Sequence, residues 1–243
     1  MAKDTIYASD GGSVEPFEFN DDVASVFPDM LRRSIPGYAE SIQAVGSLAS
    51  RYVVPDSRCY DLGCSLGAAS LAMLRNVKVE GCRIIAVDNA PAMTRRCREA
   101  LEPETIDTST ELSVLDADIQ DVEIARASMV VMNYTLQFIP VRERASLIEG
   151  IATGMLDGGV FILSEKIVDE DPEIDNGLVA LHHEFKRRNA YSDLEISQKR
   201  AALENVLVPE TIAAHTARLR NAGYRHIGVW LQYFNFVSMI AIR

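Results

Sequence analysis

An aspartate and two glycines, in Tyr60-Asp61-Leu62-Gly63-Cys64-Ser65-Leu66-Gly67, are well placed to handle a small ligand. The apolar residues before the glycines read as a strand, and the glycines as a tight turn that opens a helix. Such a turn lets a ligand approach the backbone where a Cβ would collide, and leaves N–H groups free at the start of the helix. The dinucleotide fingerprint needs three glycines, at G-x-G-x-x-G, to seat a pyrophosphate. Only two stand here, and Asp61 would repel a pyrophosphate while attracting a cationic amino group. The segment therefore points to S-adenosylmethionine over a nicotinamide dinucleotide, with a purely structural turn as the alternative.

Ligands in open α/β sheets lie beyond the carboxyl ends of the strands, so the other strand ends are read with this one. They are Asp88-Asn89, Asp116 to Ile119, and Asn133. Asp88 follows Gly63 at about the spacing where an acidic residue accepts the two O–H groups of a ribose diol; the alternative is a helix N-cap. Asp118 and the N–H of Ile119 could bracket an adenine edge, or Asp118 is simply solvated. At Asn133-Tyr134-Thr135-Leu136 the Asn-Pro-Pro-Tyr tetrad of many amino-group methyltransferases is missing, which weakens ordinary methylation of a base or amide nitrogen.

The elements that must position these residues follow from the apolar spacing. Strands are predicted at 58–62, 83–88, 111–115, 127–133 and 159–165, with helices near 67–75, 90–101 and 141–155. This alternation defines an α/β domain with a doubly wound, mostly parallel Rossmann-like sheet. Before it come a loose or ligand-dependent polar arm over the first twenty residues, a helix capped by Asp21 or Asp22 and ended by Pro36-Gly37, and a second helix over 38–52. After it, 169–205 reads as a helical insertion, followed by a helix over 209–222. Runs at 224–230 and 234–242, separated by Leu231-Gln232-Tyr233, predict a closing hairpin whose last strand is antiparallel. Trp230, Phe234 and Phe236 read as hairpin core or interface. The chain is thus one domain, 1–243, with N-terminal arm and helices (1–55), cofactor-binding core (56–168), helical insertion (169–206) and closing elements (207–243).

At 243 residues, 48% hydrophobic and 24% charged, the composition is that of a globular protein with a sizeable core. No apolar run reaches the roughly 18 residues of a membrane span, and the start lacks a signal-peptide h-region, so a cytoplasmic protein with no membrane partner is expected. Cys59, Cys64, Cys82 and Cys97 have no C-x-x-C spacing and suggest neither a metal site nor a disulfide framework. A net charge of −11 argues against direct nucleic-acid binding.

Several segments together resemble the carboxy-S-adenosyl-L-methionine synthase family, a branch of the class I methyltransferase fold. They are 26–30 (Val-Phe-Pro-Asp-Met), 34–38 (Ser-Ile-Pro-Gly-Tyr), 60–69, 134–138 (Tyr-Thr-Leu-Gln-Phe), 163–166 (Leu-Ser-Glu-Lys) and 191–200 (Tyr-Ser-Asp-Leu-Glu-Ile-Ser-Gln-Lys-Arg). The resemblance covers nearly the whole chain, and the first and last segments lie outside the generic cofactor motif. It implies conversion of S-adenosylmethionine and prephenate to carboxy-S-adenosylmethionine and phenylpyruvate, the product feeding a tRNA wobble-uridine modification made by another enzyme. It places cofactor contacts on Tyr38, Gly63, Cys64, Ser65, Asp88, Asn89, Asp118, Ile119 and Asn133, and the carboxylate-binding arginine at Arg200. In the implied chemistry prephenate loses carbon dioxide and its ring hydroxyl, the departing hydroxide takes the methyl proton, and the resulting ylide captures the carbon dioxide. A site that positions and excludes water then suffices, with no protein base strictly required.

Physical chemistry supports Arg200, because a planar guanidinium holds a carboxylate bidentately and ignores a bare methyl. Its alternative is a surface ion pair with Glu195 or Glu204. A dianionic substrate also needs local positive charge on an acidic chain, for which Lys166, His182, His183 and Arg200 are the candidates. Adjacent histidines on a helix face different ways, so at least one of His182 and His183 reads as structural. Tyr38 either packs over the cofactor or is a core tyrosine. A homodimer through the helices outside the sheet is expected. A conventional small-molecule methyltransferase and a non-catalytic protein that holds a cofactor derivative remain alternatives.

Overall fold

A computed structural model describes residues 2–9, 15–106, 108–204 and 206–243. In chain order its elements are α1 (Asp21–Ser34), α2 (Tyr38–Tyr52), β1 (Arg58–Leu62), α3 (Ala68–Asn76), β2 (Arg83–Asp88), α4 (Pro91–Leu101), β3 (Glu111–Asp116) and β4 (Ala127–Asn133). Then come α5 (Val141–Gly154), β5 (Met155–Lys166), α6 (Pro172–Arg188), α7 (Asp193–Leu203), α8 (Ile212–Asn221), β6 (His226–Tyr233) and β7 (Phe236–Ile242). The described strands form one sheet ordered β3-β2-β1-β4-β5-β7-β6. The first five are parallel, and β7 pairs antiparallel with β5 and β6. The strand order reverses beside β1, which places the β1–α3 turn at the switch point where such sheets bind ligands.

The core follows from the two-residue period of the strands. Along β4, Val130 and Met132 face one layer with Ile148, Ile151 and Leu219 of α5 and α8, while Met129 and Val131 face the other with Val45, Ala49, Met73 and Leu74 of α2 and α3. A sheet covered on both faces explains why residues 127–132 are buried without a break. All four cysteines are buried free thiols.

Several expectations move. The N-terminal arm is not loose where it is described: Asp4 and Phe17 are buried, and Phe17 packs with α1, α4 and α7. The remainder of the arm, residues 1 and 10–14, lies outside the described residues, as does Asn205 at the end of the insertion. Asn20, not Asp21 or Asp22, caps α1, accepting from the N–H of Val23. The 141–155 helix stops at Gly154, where a Cβ would lie 2.0 Å from the Ile124 carbonyl, and Met155 opens β5. The last helix begins at Ile212, capped by Thr211. The hairpin turn falls at Phe234-Asn235 with Phe234 at φ +53°, so the expected turn residues 231–233 complete β6. Antiparallel pairing of Tyr233 with Phe236 leaves only two residues to turn.

Candidate active site

The site forms at the carboxyl ends of β1, β2, β4 and β5. Gly63, Ser65 and Gly67 all take positive φ (80°, 49° and 81°), which turns the chain sharply off β1. The N–H groups of Gly63 and Cys64 donate to the Val87 carbonyl (2.8 and 2.9 Å), and that of Ser65 to Asp88 Oδ2 (2.9 Å). These three N–H groups are spent within the protein; the expectation concerned those at the start of α3, of which that of Ser70 is taken by Asp61. An acid at this point, Asp61, suits a ligand whose nearby charged end is positive. Its Oδ2 accepts from the N–H (2.9 Å) and hydroxyl (2.6 Å) of Ser70, leaving Oδ1 for the cavity that Asp61 lines. Burial pushes the Asp61 carboxyl up to about 6, with the Ser70 bonds opposing.

A cavity of about 380 Å³ opens from this turn, within the range of small-molecule sites. Of the residues predicted for the cofactor, Tyr38, Gly63, Cys64, Ser65, Asp88, Asn89, Ile119 and Asn133 all line it, drawn from six separate elements or loops. Asp88 Oδ1 accepts from the Ala90 N–H (3.0 Å), so it tethers the start of α4 and the turn at once. Each of its oxygens keeps a lone pair for a diol. Burial raises its carboxyl above the usual range. Asn133 Oδ1 is buried with no partner among the described residues, an orphaned acceptor at the cavity wall. Tyr38 and Tyr134 lie 6.4 Å apart, and Tyr134 meets Phe236 edge-on at 5.9 Å. Burial raises both tyrosine hydroxyls above their ordinary range, so they stay neutral.

Asp118 does not line the cavity. It accepts from Asn89 Nδ2 at 2.6 Å and so orients the amide of a lining residue. Arg200 is exposed and also outside the lining, although its charge is felt by Lys166 and His183, both lowered chiefly by burial. His182 lines the cavity, but its Nε2 is bonded to the Ser34 carbonyl (2.8 Å) and its ring packs on Phe236 at 4.8 Å. Burial carries it down to about 2, so it is a neutral wall group. His183 is half-buried and outside the lining.

The cationic end of the cavity is instead made by Lys166, Lys186 and Lys199. Lys186 is 8% exposed and, among the described residues, makes no ion pair or hydrogen bond through its ammonium; burial, then Lys199 and Lys166, lower it to about 7. Sequence reasoning missed Lys186 and Lys199. The available signals were Lys186 standing four residues after His182 on one helix face, and Lys199 sharing a face with Ile196 and Ala202. Phe236, read as hairpin core, also lines the cavity, because β7 lies beside β5 and delivers its first residue opposite Lys166.

Behind this wall Glu165 is buried, its two oxygens accepting the N–H groups of Leu136 and Gln137 (2.9 Å each). Gln137 returns its side-chain oxygen to the N–H of Lys166 (3.0 Å). The post-β4 loop that carries Tyr134 and Thr135 is thereby locked to β5.

A Rossmann-like sheet with an acidic turn after β1, an acidic end to β2 and an asparagine ending β4 defines a class I S-adenosylmethionine-dependent methyltransferase fold. Solved structures agree: magnesium protoporphyrin IX methyltransferase from Synechocystis with bound SAH superposes with a TM-score of 0.60 at 15% identity, covering 88% of this chain and 86% of that one. Human N-acetylserotonin methyltransferase in complex with SAM gives 0.59 at 14%, covering 92% and 55%. A methyltransferase domain family model matches residues 60–159. Carboxy-S-adenosyl-L-methionine synthase from Aliivibrio fischeri is 51% identical over 240 residues, 99% of this chain and 98% of its own, and that from Vibrio cholerae is 51% identical over 241, covering 99% and 97%. The chain belongs to the carboxy-S-adenosyl-L-methionine synthase family, and is an enzyme. Orphaned Asn133 Oδ1, the open Asp61 oxygen and the diol-ready Asp88 fit an amino, sulfonium and ribose-bearing molecule. No helix among the described residues is long and apolar enough to cross a membrane.

Proposed function

We propose that this enzyme takes S-adenosylmethionine as a substrate and, with prephenate, forms carboxy-S-adenosylmethionine and phenylpyruvate. The observation that carries the prephenate half is the cluster of Lys166, Lys186 and Lys199 on one cavity with the adenosyl-binding residues, in a chain of net charge −11. Lys186, a buried ammonium that makes no ion pair among the described residues, is costly to hold, and a dianion compensates it. A small neutral methyl acceptor has no use for such a cluster. The aromatic wall of Phe19, Phe27, Phe138 and Tyr134 shields the reacting atoms from water.

In this reading Asp88 holds the ribose diol, Asn133 and Asp61 accept the amino group, Tyr38 packs over the cofactor, and Ile119 borders the adenine. Arg200 grips the new carboxylate. Because it lies outside the lining of its own chain, that role requires its side chain to swing inward or to serve a second copy. Ile174 and Leu181, one α6 face apart by two turns, are 52% and 43% exposed and fit a homodimer built through the insertion. The product is proposed to serve tRNA wobble-uridine modification by another enzyme in the cytoplasm, with no nucleic acid held here.

The test is incubation of purified protein with both substrates and mass spectrometry of the nucleoside fraction. A species heavier than S-adenosylmethionine by one carboxylate, made only when prephenate is present, is expected. Methyl transfer without prephenate would instead mark a conventional methyltransferase, and bound carboxylated cofactor without turnover a carrier.

A further inference from the structure

Asp4 is 1% exposed, although it lies at the far N-terminus and outside every strand end. Its backbone is pinned first: the N–H donates to Asp29 Oδ2 (2.9 Å) and the carbonyl accepts from Arg33 Nη1 (2.9 Å). The side chain reaches Tyr191, just before α7, and Lys199 within it. There Oδ2 accepts the Tyr191 hydroxyl and lies 3.8 Å from Lys199 Nζ. Lys199 in turn donates to Ser34 Oγ (3.1 Å) and lines the cavity. The Tyr191 ring carries Arg33 at 3.8 Å and Lys199 at 5.6 Å.

A lysine in this setting would shed its proton or withdraw unless a negative charge stood behind it. Two cations, Arg33 and Lys186, press on it, and among the described residues Asp4 is the acid within ion-pair reach. Burial lowers Lys199 to about 8, Asp4 pulling it upward and Arg33 downward. Resting on the reading that the cavity takes prephenate, we infer that Asp4 is a positioning residue that holds the Lys199 ammonium at the cavity wall to meet a substrate carboxylate. Asp4 touches no substrate itself and acts through Lys199.

The test is Asp4→Asn, which keeps the shape, the bonds of the Asp4 main chain and an oxygen for Tyr191, while removing the charge and the 3.3 Å bond that Oδ1 accepts from the Ile6 N–H. The KM for prephenate should rise about tenfold or more, the loss of one charge-assisted contact. Affinity for S-adenosylmethionine should stay within about twofold and kcat within about threefold, since the contact is made before and after the chemical step. Equal losses for both substrates, or an unchanged prephenate KM, would overturn the inference, because a purely structural strut gives one or the other. A second arm needs no substrate: in protein with ¹⁵N-labelled lysines, the Lys199 ammonium, faced by Asp4, Arg33, Tyr191, Ser34 and Lys186, should titrate at lower pH in the variant. An unmoved midpoint overturns the Asp4–Lys199 coupling. A moved midpoint in a protein whose wild type ignores prephenate overturns the substrate reading and leaves the coupling in place.

Discussion

Asp61, the last but one residue of β1, takes both the backbone N–H and the hydroxyl of Ser70, nine residues on in α3, onto one carboxylate oxygen. The pair clamps the turn between strand and helix and leaves the other oxygen unbonded on a residue that lines the cavity.

Raised to about 6, Asp61 favours the protonated fold: its contribution to stability is complete below the unfolded value near 3.8 and is lost as pH rises through about 6. Asp61→Asn should therefore be more stable than wild type above pH 7, by about 2–3 kcal/mol, yet bind S-adenosylmethionine roughly tenfold more weakly. Urea melts at pH 4 and 7.5 with calorimetric titration check both halves, and a variant no more stable at 7.5 than at 4, relative to wild type, refutes the account.

Gly63→Ala would set a Cβ 2.3 Å from Thr135 Oγ1 at a φ of +80°. A loss of about 2–4 kcal/mol is expected from crowding plus left-handed strain. Pairing it with Thr135→Ala should recover most of the crowding but not the strain, the Cβ at position 135 remaining 2.9 Å away, so the double variant should lie between wild type and Gly63→Ala in denaturant midpoint.

Burial carries the Glu165 carboxyl up to about 8 against the bonds from Leu136 and Gln137 and the charge of Arg144. The sign is again that of a raised acid: stability present below about 4.5 is lost as pH rises through about 8. Glu165→Gln does not titrate, so its stability relative to wild type should improve across pH 5 to 8 by on the order of a few kcal/mol. A flat difference across that window would contradict it.

Lys186→Met replaces a buried ammonium by an apolar chain of similar length. The folded protein should gain up to a few kcal/mol at pH 7 or below. The gain should shrink between pH 7 and 10.5, where wild-type Lys186 is already neutral when folded. Prephenate KM should rise at least about tenfold while affinity for S-adenosylmethionine holds. Thermal melts across pH and steady-state kinetics read the two effects separately.

For Arg200→Ala, the expected outcome is an enzyme that folds as wild type does, since the side chain is exposed, and that makes less carboxylated product by about tenfold or more. Light scattering at micromolar concentration should give twice the chain mass. Complementation between an Arg200→Ala chain and an Asn133→Ala chain would restore activity if arginine and cofactor site belong to different copies, and a dead mixture would assign Arg200 to its own site.

The strand ends were legible from the sequence because each lies directly after an apolar run that a two-residue period identifies, and a parallel sheet brings such ends to one edge. Gly63, Asp88, Ile119 and Asn133 are local consequences of that rule, and the order of the elements made the doubly wound class readable. Lys186, Lys199 and Asp4 were not legible, since each belongs to an outer segment whose place depends on how α1, α6 and α7 dock over the sheet. That docking is held by long-range bonds such as Arg33 to the Asn189 and Ala190 carbonyls (2.7 and 2.6 Å), which no local pattern announces. The sequence by itself determined which strand ends line the cavity; only the tertiary structure decided which charges close over it, because the cost of burying a lysine, and the acid that offsets it, exist only once distant segments share one low-dielectric wall.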